Sequence, residues 1–330
     1  MLEEGSWLDE AGRIADPLVI VDLDAVDVVV PPPAGRLLIG VATRPLRQPA
    51  VPLLRELDLA LVPASDEEGE VPQEGVSVWN AGNEVAALGE AVARCPQAAV
   101  VLGQVLRATE SLPVPAALDV ESFAYSMLLG GAEFRRWLAA NGGRALPPMV
   151  AEPVLASRDG DVLRVTLNRP ERRNAYGRQL RDALAEALRI AVLDPSLARV
   201  VLDGAGPCFC SGGDLAEFGT TPDLVTAHFV RTLGGAGRLV HALRDRIEVH
   251  VHGPCVGAGV ELPAFAARVA CAAGTTFTLP EVAMGLIPGA GGTVSIPRRV
   301  GRWRALYLAL SGRPLDAATA LAWGLVDAIA

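Results

Sequence analysis

An α/β fold built from repeated strand–loop–helix units, in two halves meeting near residue 150, is the class this sequence predicts. Three observations carry that expectation. Short apolar runs bounded by Gly and Pro alternate with longer stretches of helical spacing along the chain. With 330 residues, 51% of them hydrophobic, the chain can bury two cores. Gly142-Gly143 followed by Pro147-Pro148 makes a linker where the pattern changes. The expected division is a smaller α/β domain over 1–149 and a second domain over 150–330.

In the first half, residues 17–30 (PLVIVDLDAVDVVV) and 36–42 (RLLIGVA) read as strands between Pro- and Gly-bearing turns. Residues 66–75 read as an acidic loop. Residues 81–94 have helical spacing, with Cys95-Pro96 as the stop. Residues 98–106 (AAVVLGQVL) read as a buried strand. Residues 119–141 read as one amphipathic helix with Phe123, Leu128, Phe134 and Leu138 near one stripe. Asp22, Asp24 and Asp27 form a carboxylate cluster, for which a solvated strand edge is the simpler reading. The AAVVL run faintly resembles ARVVLDGAG at 198–206, a thin basis for an internal duplication. Nothing in this half translates into chemistry.

The second half is more regular. Strands are expected over 161–170, 198–206, 247–253 and at RVACAAG (268–274), with helices over 176–193 and 224–243. Between them lie two Gly-bearing loops, CFCSGGDL (208–215) and PCVGAGVEL (254–262), and a third loop that opens a helix, TLPEVAMGLIPGAGGT (278–293).

Charge and composition remove several function classes. The net charge is −9, only 20% of residues are charged, and every basic residue is Arg. Neither nucleic acid nor an anionic membrane is an expected partner. No apolar run is long enough to span a bilayer. Any cationic contact to a phosphate must come from Arg, which suits bidentate recognition. The five cysteines are odd in number and follow an acidic N-terminus without an apolar core, so reduced thiols in the cytoplasm are expected. No metal site is expected: Cys208-x-Cys210 lacks a second ligand pair, and His250 and His252 read as ordinary residues on one strand face.

Gly212-Gly213 and Gly257-Ala258-Gly259 each follow an apolar strand and precede a helix. Backbone N–H groups at such starts are unpaired and can hold a developing oxyanion. For either loop alone a tight turn explains the glycines. Gly257-x-Gly259 is a fragment of the dinucleotide fingerprint, which is not completed. Glu261 and Glu281 lie just after turns. Each alone reads as a helix-stabilising acid, but two carboxylates beside an oxyanion site can divide proton transfer between them.

Five motifs agree in order and spacing: Asn168-Arg169-Pro170 with Arg173-Asn174-Ala175, CFCSGGDL, HGPCVGAGVEL, LPEVAMGLIPGAGGT, and GLVD at 324–327. On these, the stretch from about 154 to 330 resembles the enoyl-CoA hydratase/isomerase (crotonase) family. The resemblance implies a ββα spiral core that binds an acyl-CoA thioester and stabilises its enolate. It implies Gly213 and Ala258 as oxyanion N–H donors and Glu261 and Glu281 as the catalytic pair, Glu261 for water and Glu281 for the proton at C2. It implies Gly289 beside the water site, the Ser211 carbonyl at the adenine and Arg172 near the CoA phosphates, with Gly212, Asp214 and Ala175 among the substrate-binding positions. CoA enters as part of the substrate, and no other cofactor is implied.

Hydration of a 2-enoyl-CoA is the leading expectation. Isomerisation or thioester hydrolysis on the same enolate site, and a catalytically weak CoA-binding or assembly subunit, are the alternatives. Departures from the family pattern are Ala258 in place of Gly, Pro263 early in a helix, Ala267 in place of Asp, and Pro254-Cys255 before the Gly-rich turn. The family's usual C-terminal helices, which close the acyl pocket and build trimers, are not expected here, while 1–149 is extra. The expectation is that this added half covers the surface those helices would bury or alters oligomerisation. A homo-oligomer is implied, trimer or hexamer left open.

Overall fold

The computed structural model describes residues 8–10, 12–25, 28, 30, 35–46, 51–64 and 71–330. In the first half, β1 (Leu18–Asp22), β2 (Leu37–Val41), β3 (Leu59–Pro63) and β4 (Gly75–Val78) form a parallel sheet in sequence order, with α1 (Val51–Glu56) between β2 and β3. β2 and β3 are buried along nearly their whole length, as parallel strands covered on both faces should be. Four helices follow: α2 (Ala81–Arg94), α3 (Pro96–Thr109), α4 (Val114–Leu129) and α5 (Ala132–Asn141).

The second half starts with a hairpin, β5 (Val154–Asp159) against β6 (Val162–Leu167). Then come α6 (Arg178–Leu193), β7 (Arg199–Gly204), α7 (Leu224–Gly234), α8 (Gly237–Ala242), β8 (Ile247–Val251), β9 (Pro254–Val256), α9 (Ala258–Glu261), β10 (Arg268–Cys271) and β11 (Thr276–Thr278). The chain closes through α10 (Gly292–Ser311), β12 (Leu315–Asp316), α11 (Ala317–Trp323) and β13 (Ala328–Ile329). β8, β10 and β13 lie in a six-stranded sheet ordered β13-β10-β8-β7-β6-β5, while β9, β11 and β12 form a second sheet ordered β12-β11-β9. From β8 on, each step of the chain thus sends one strand to the large sheet and its neighbour to the small one. This is the spiral expected for 150–330.

One continuous core crosses residue 150, joining Leu37, Leu59 and Leu102 to Leu163, Val249 and Leu306. The contact between the halves is also polar. The Leu57 carbonyl accepts from Arg302 Nη1 at 2.9 Å and Trp303 Nε1 at 3.0 Å, and Tyr307 donates to Glu84 Oε1 at 2.9 Å. α4 packs against α7 and α10.

Several expectations fail. Residues 98–106 belong to helix α3, not to a strand. Its buried positions Ala98, Ala99, Leu102, Val105, Leu106 and Thr109 follow helical spacing, Pro96 opens it, and a 14-residue run outlasts a strand. The duplication therefore loses its basis. The 119–141 helix is two helices, broken at Gly130-Gly131, where two glycines remove the helical preference. Phe123 is 61% exposed and stacks on His228 at 4.4 Å, off the stripe that holds Leu128 and Phe134. The 224–243 helix also breaks, at Gly235, and the freed Ala236 N–H donates to the Tyr176 hydroxyl at 3.2 Å. The strand expected over 17–30 ends at Asp22. Asp24 accepts from the Thr43 N–H and hydroxyl, and Asp27 lies outside the described residues, as do 66–70 of the acidic loop. β5 was not expected. His250 pairs with Glu248 at 2.8 Å, while His252 lies beyond the strand. Among the described residues no single helix is long and apolar enough to cross a membrane.

Candidate active site

The two Gly-bearing loops meet. Gly212 has φ +90° and Gly257 φ +48°, conformations that favour glycine. A Cβ on Gly212 would stand 3.1 Å from the Val256 carbonyl oxygen, and one on Gly257 3.7 Å from Gly212 Cα. The adjoining Gly213 and Ala258 both line one cavity of about 360 Å³. Among the described residues neither backbone N–H has an acceptor within the protein. Ala258 is buried, and its methyl leaves the N–H at the helix start free.

Glu261 ends the one-turn helix α9, 2% exposed. Its Oε2 accepts from Ala290 N–H at 2.7 Å and Gly292 N–H at 2.8 Å, at the start of α10. Gly292 is needed for this approach: a Cβ there would lie 2.6 Å from Glu261 Cγ. Ser295 donates to the Glu261 carbonyl at 2.7 Å. Glu281 opens a 3-10 turn (Glu281–Met284) after Pro280, and its Oε2 is buried without a hydrogen-bond partner. Both carboxylates face the same cavity. Burial raises Glu261 above the ordinary carboxylate range, against the pull of the Ala290 and Gly292 amides. Burial, then the neighbouring Glu261 charge, raises Glu281 well above it.

The expected site residues divide into two groups. Glu261, Glu281, Gly213, Ala258, Asp214 and Gly289 are brought together around the cavity. Ser211, Gly212, Arg172 and Ala175 lie beside it rather than in its wall. Ser211 N–H donates to the Arg173 carbonyl at 3.0 Å, Tyr176 N–H to the Gly212 carbonyl at 2.7 Å, and Ala175 N–H to the Arg172 carbonyl at 3.1 Å. Arg172 grips Asp214 through two bonds of 3.0 and 2.6 Å and keeps a third of its side chain exposed. Pro263 starts a 3-10 turn (Pro263–Phe265) directly after α9, so it interrupts no helix.

Sequence reasoning missed what α4 brings. Tyr125 lines the cavity, and its ring fills the space where a Cβ on Gly289 would sit. Arg231 of α7 lies over that ring, 4.4 Å from its centroid, and also bonds Ser122 and Ser126. Glu121, one turn before Tyr125, is 2% exposed. A signal existed: Glu121, Ser122, Tyr125 and Ser126 form a polar stripe at helical spacing on an otherwise apolar segment.

The family model for enoyl-CoA hydratase/isomerase matches residues 157–330. A probable enoyl-CoA hydratase of Mycobacterium bovis is 33% identical over 183 residues, covering 55% of this chain and 70% of the relative. The 1,2-epoxyphenylacetyl-CoA isomerase of Escherichia coli is 35% identical, over 53% of this chain and 68% of that one. Among solved structures, an enoyl-CoA hydratase from Thermoplasma volcanium is 31% identical with a TM-score of 0.50, covering 55% of this chain and 72% of its own. Motifs, spiral topology and these matches agree: the chain belongs to the enoyl-CoA hydratase/isomerase family and is an enzyme of that acyl-CoA superfamily.

Proposed function

We propose that this enzyme hydrates a 2-enoyl-CoA thioester. One observation carries the reading: two buried carboxylates and two unengaged backbone N–H groups open on a single cavity. The Gly213 and Ala258 N–H groups polarise the thioester oxygen and hold the enolate that forms. The environments of the two acids divide the proton work. Glu281 has a buried oxygen with no donor, which favours its neutral form and suits it to give the proton at C2. Glu261 has one oxygen fixed by two amides at a helix start, which favours its anion. Its other oxygen is left to take a proton from the water attacking C3. Arg172 and the Ser211 carbonyl serve the CoA phosphates and adenine beside the mouth. A homo-oligomer in a reducing cytoplasm completes the proposal, the latter supported by five free, buried cysteines.

The test is incubation of the full chain with crotonyl-CoA, and with a longer 2-enoyl-CoA, in heavy-oxygen water. Loss of the enoyl-thioester absorbance with label at C3 of the product is expected. Turnover without label would remove hydration. One observation favours isomerisation as a second reading: the Tyr125 ring is packed against Gly289, the position the family resemblance places beside the water. A product with a moved double bond and no added oxygen would select it.

A further inference from the structure

Four successive amides at the start of α10 are held by two carboxylates in alternation. Glu261 Oε2 takes Ala290 and Gly292. Glu121 Oε1 takes Gly291 N–H at 2.8 Å, and its Oε2 takes the Thr293 N–H at 2.9 Å and the Thr293 hydroxyl at 2.7 Å. Glu121 comes from α4, outside residues 157–330, and its bonds span more than 160 residues of sequence.

We propose that Glu121 is a positioning residue of the active site, forming with Glu261 a carboxylate pair that clamps the start of α10 from both sides and carries one negative charge between its members. The inference rests on the reading of Glu261 as a working carboxylate.

A helix running unbroken from Gly292 to the kink at Gly301, with N–H groups at its start that no backbone carbonyl takes, welcomes one anion there. Two anions on adjacent amides in a dry site repel, so their protons leave in two separate steps. Burial, and the Glu261 charge beside it, raise Glu121 above the ordinary carboxylate range. The other ionisable groups around it are Glu281, Tyr125 on its own helix, Tyr176, Arg231 on α7, Arg181 on α6 and Arg238 on α8. Arg181 and Arg238 are paired with Asp182 and Asp119. Arg231 bonds neutral serine groups and stacks on Tyr125. No cation forms an ion pair with either member of the clamp among the described residues, so the helix start is the main counterweight to its charge.

The experiment reads the carboxylic-acid carbonyl band by infrared titration of the full chain in a Glu281→Gln background, from about pH 5.5 to about 9, above the ordinary carboxylate range. It needs no substrate, so a failed hydration assay leaves it intact. Glu133, also raised by burial, contributes equally to every variant. The parent should show two steps from the pair. Adding Glu121→Gln or Glu261→Gln should leave one step, lying below the parent's upper step by on the order of one pH unit. An upper step that survives unmoved in either variant would overturn the pair and leave Glu121 a structural clamp. Thr293→Val keeps both carboxyls and removes one donor, so it serves if Glu121→Gln does not fold. It should move one step to higher pH, and an unchanged titration would count equally against the proposal.

Discussion

Asp58 and Glu133, two buried carboxylates of the first half, and the two carboxylates of the cavity are held in opposite ways. Asp58 accepts from the Leu38 N–H at 2.9 Å, forms an ion pair with Arg107, and lies 3.7 Å from Arg302. Glu133 takes the Gln97 and Ala98 N–H groups at the start of α3, one on each oxygen. In the cavity, Glu281 leaves an oxygen without any donor and Glu261 uses only one of its two. Saturated carboxylates hold the fold. Unsaturated ones keep an oxygen free, which the proposed mechanism uses to move protons.

The largest effects should come from exchanging the two classes. Glu261→Gln and Glu281→Gln should each lower turnover by roughly 10²–10⁴-fold, the usual worth of a positioned acid or base, with little loss of melting temperature. Asp58→Asn should do the reverse. Breaking a buried pair costs about 3–5 kcal/mol, so the variant should melt early while its folded fraction turns over normally. Equal loss of activity and stability in both sets would erase the distinction.

Next is Gly289→Ala. The new methyl must displace the Tyr125 ring, an overpacking cost of about 1–3 kcal/mol. Tyr125→Ala loses the packed ring and is itself destabilised, but in that background the added methyl should cost little, so the double variant should melt close to Tyr125→Ala.

The pH dependence of stability supplies a subtler test. Glu121, Glu261 and Glu281 hold their protons in the folded chain at pH values where the unfolded chain has lost them. The unfolded state then binds fewer protons, so stability falls as pH rises from the unfolded carboxylate value, about 4.3, into the neutral range. Urea midpoints across that range should decline, and the slope should flatten in Glu281→Gln. The smallest effect belongs to Glu84→Gln, at the partly exposed contact with Arg313, about 1 kcal/mol or less.

What the sequence disclosed follows the same division. Gly212 and Gly257 take positive φ, and Glu261 and Glu281 stand just after Gly- and Pro-bearing turns, so residue types together with the family resemblance marked them. Glu121 and Tyr125 occupy an ordinary helix, and their role depends on packing against a segment far along the chain. No local pattern encodes that approach, although the polar stripe on α4 records it. Over 98–106 only Gln104 is polar, so the sequence hides the period, although in the structure Gln104 and Ala108 mark an exposed face opposite the buried one. The breaks at Gly130-Gly131 and Gly235 are encoded by the glycines themselves, against an amphipathic spacing that runs on through them.

The most direct measurement is turnover of a 2-enoyl-CoA by the wild type, Glu261→Gln, Glu281→Gln and Asp58→Asn, each normalised to its folded fraction. Labelled 3-hydroxyacyl product from the wild type and Asp58→Asn, and almost none from the two glutamate variants, is the expected result. Product formation that persists in either glutamate variant would contradict a mechanism in which these two buried carboxylates divide the proton transfers.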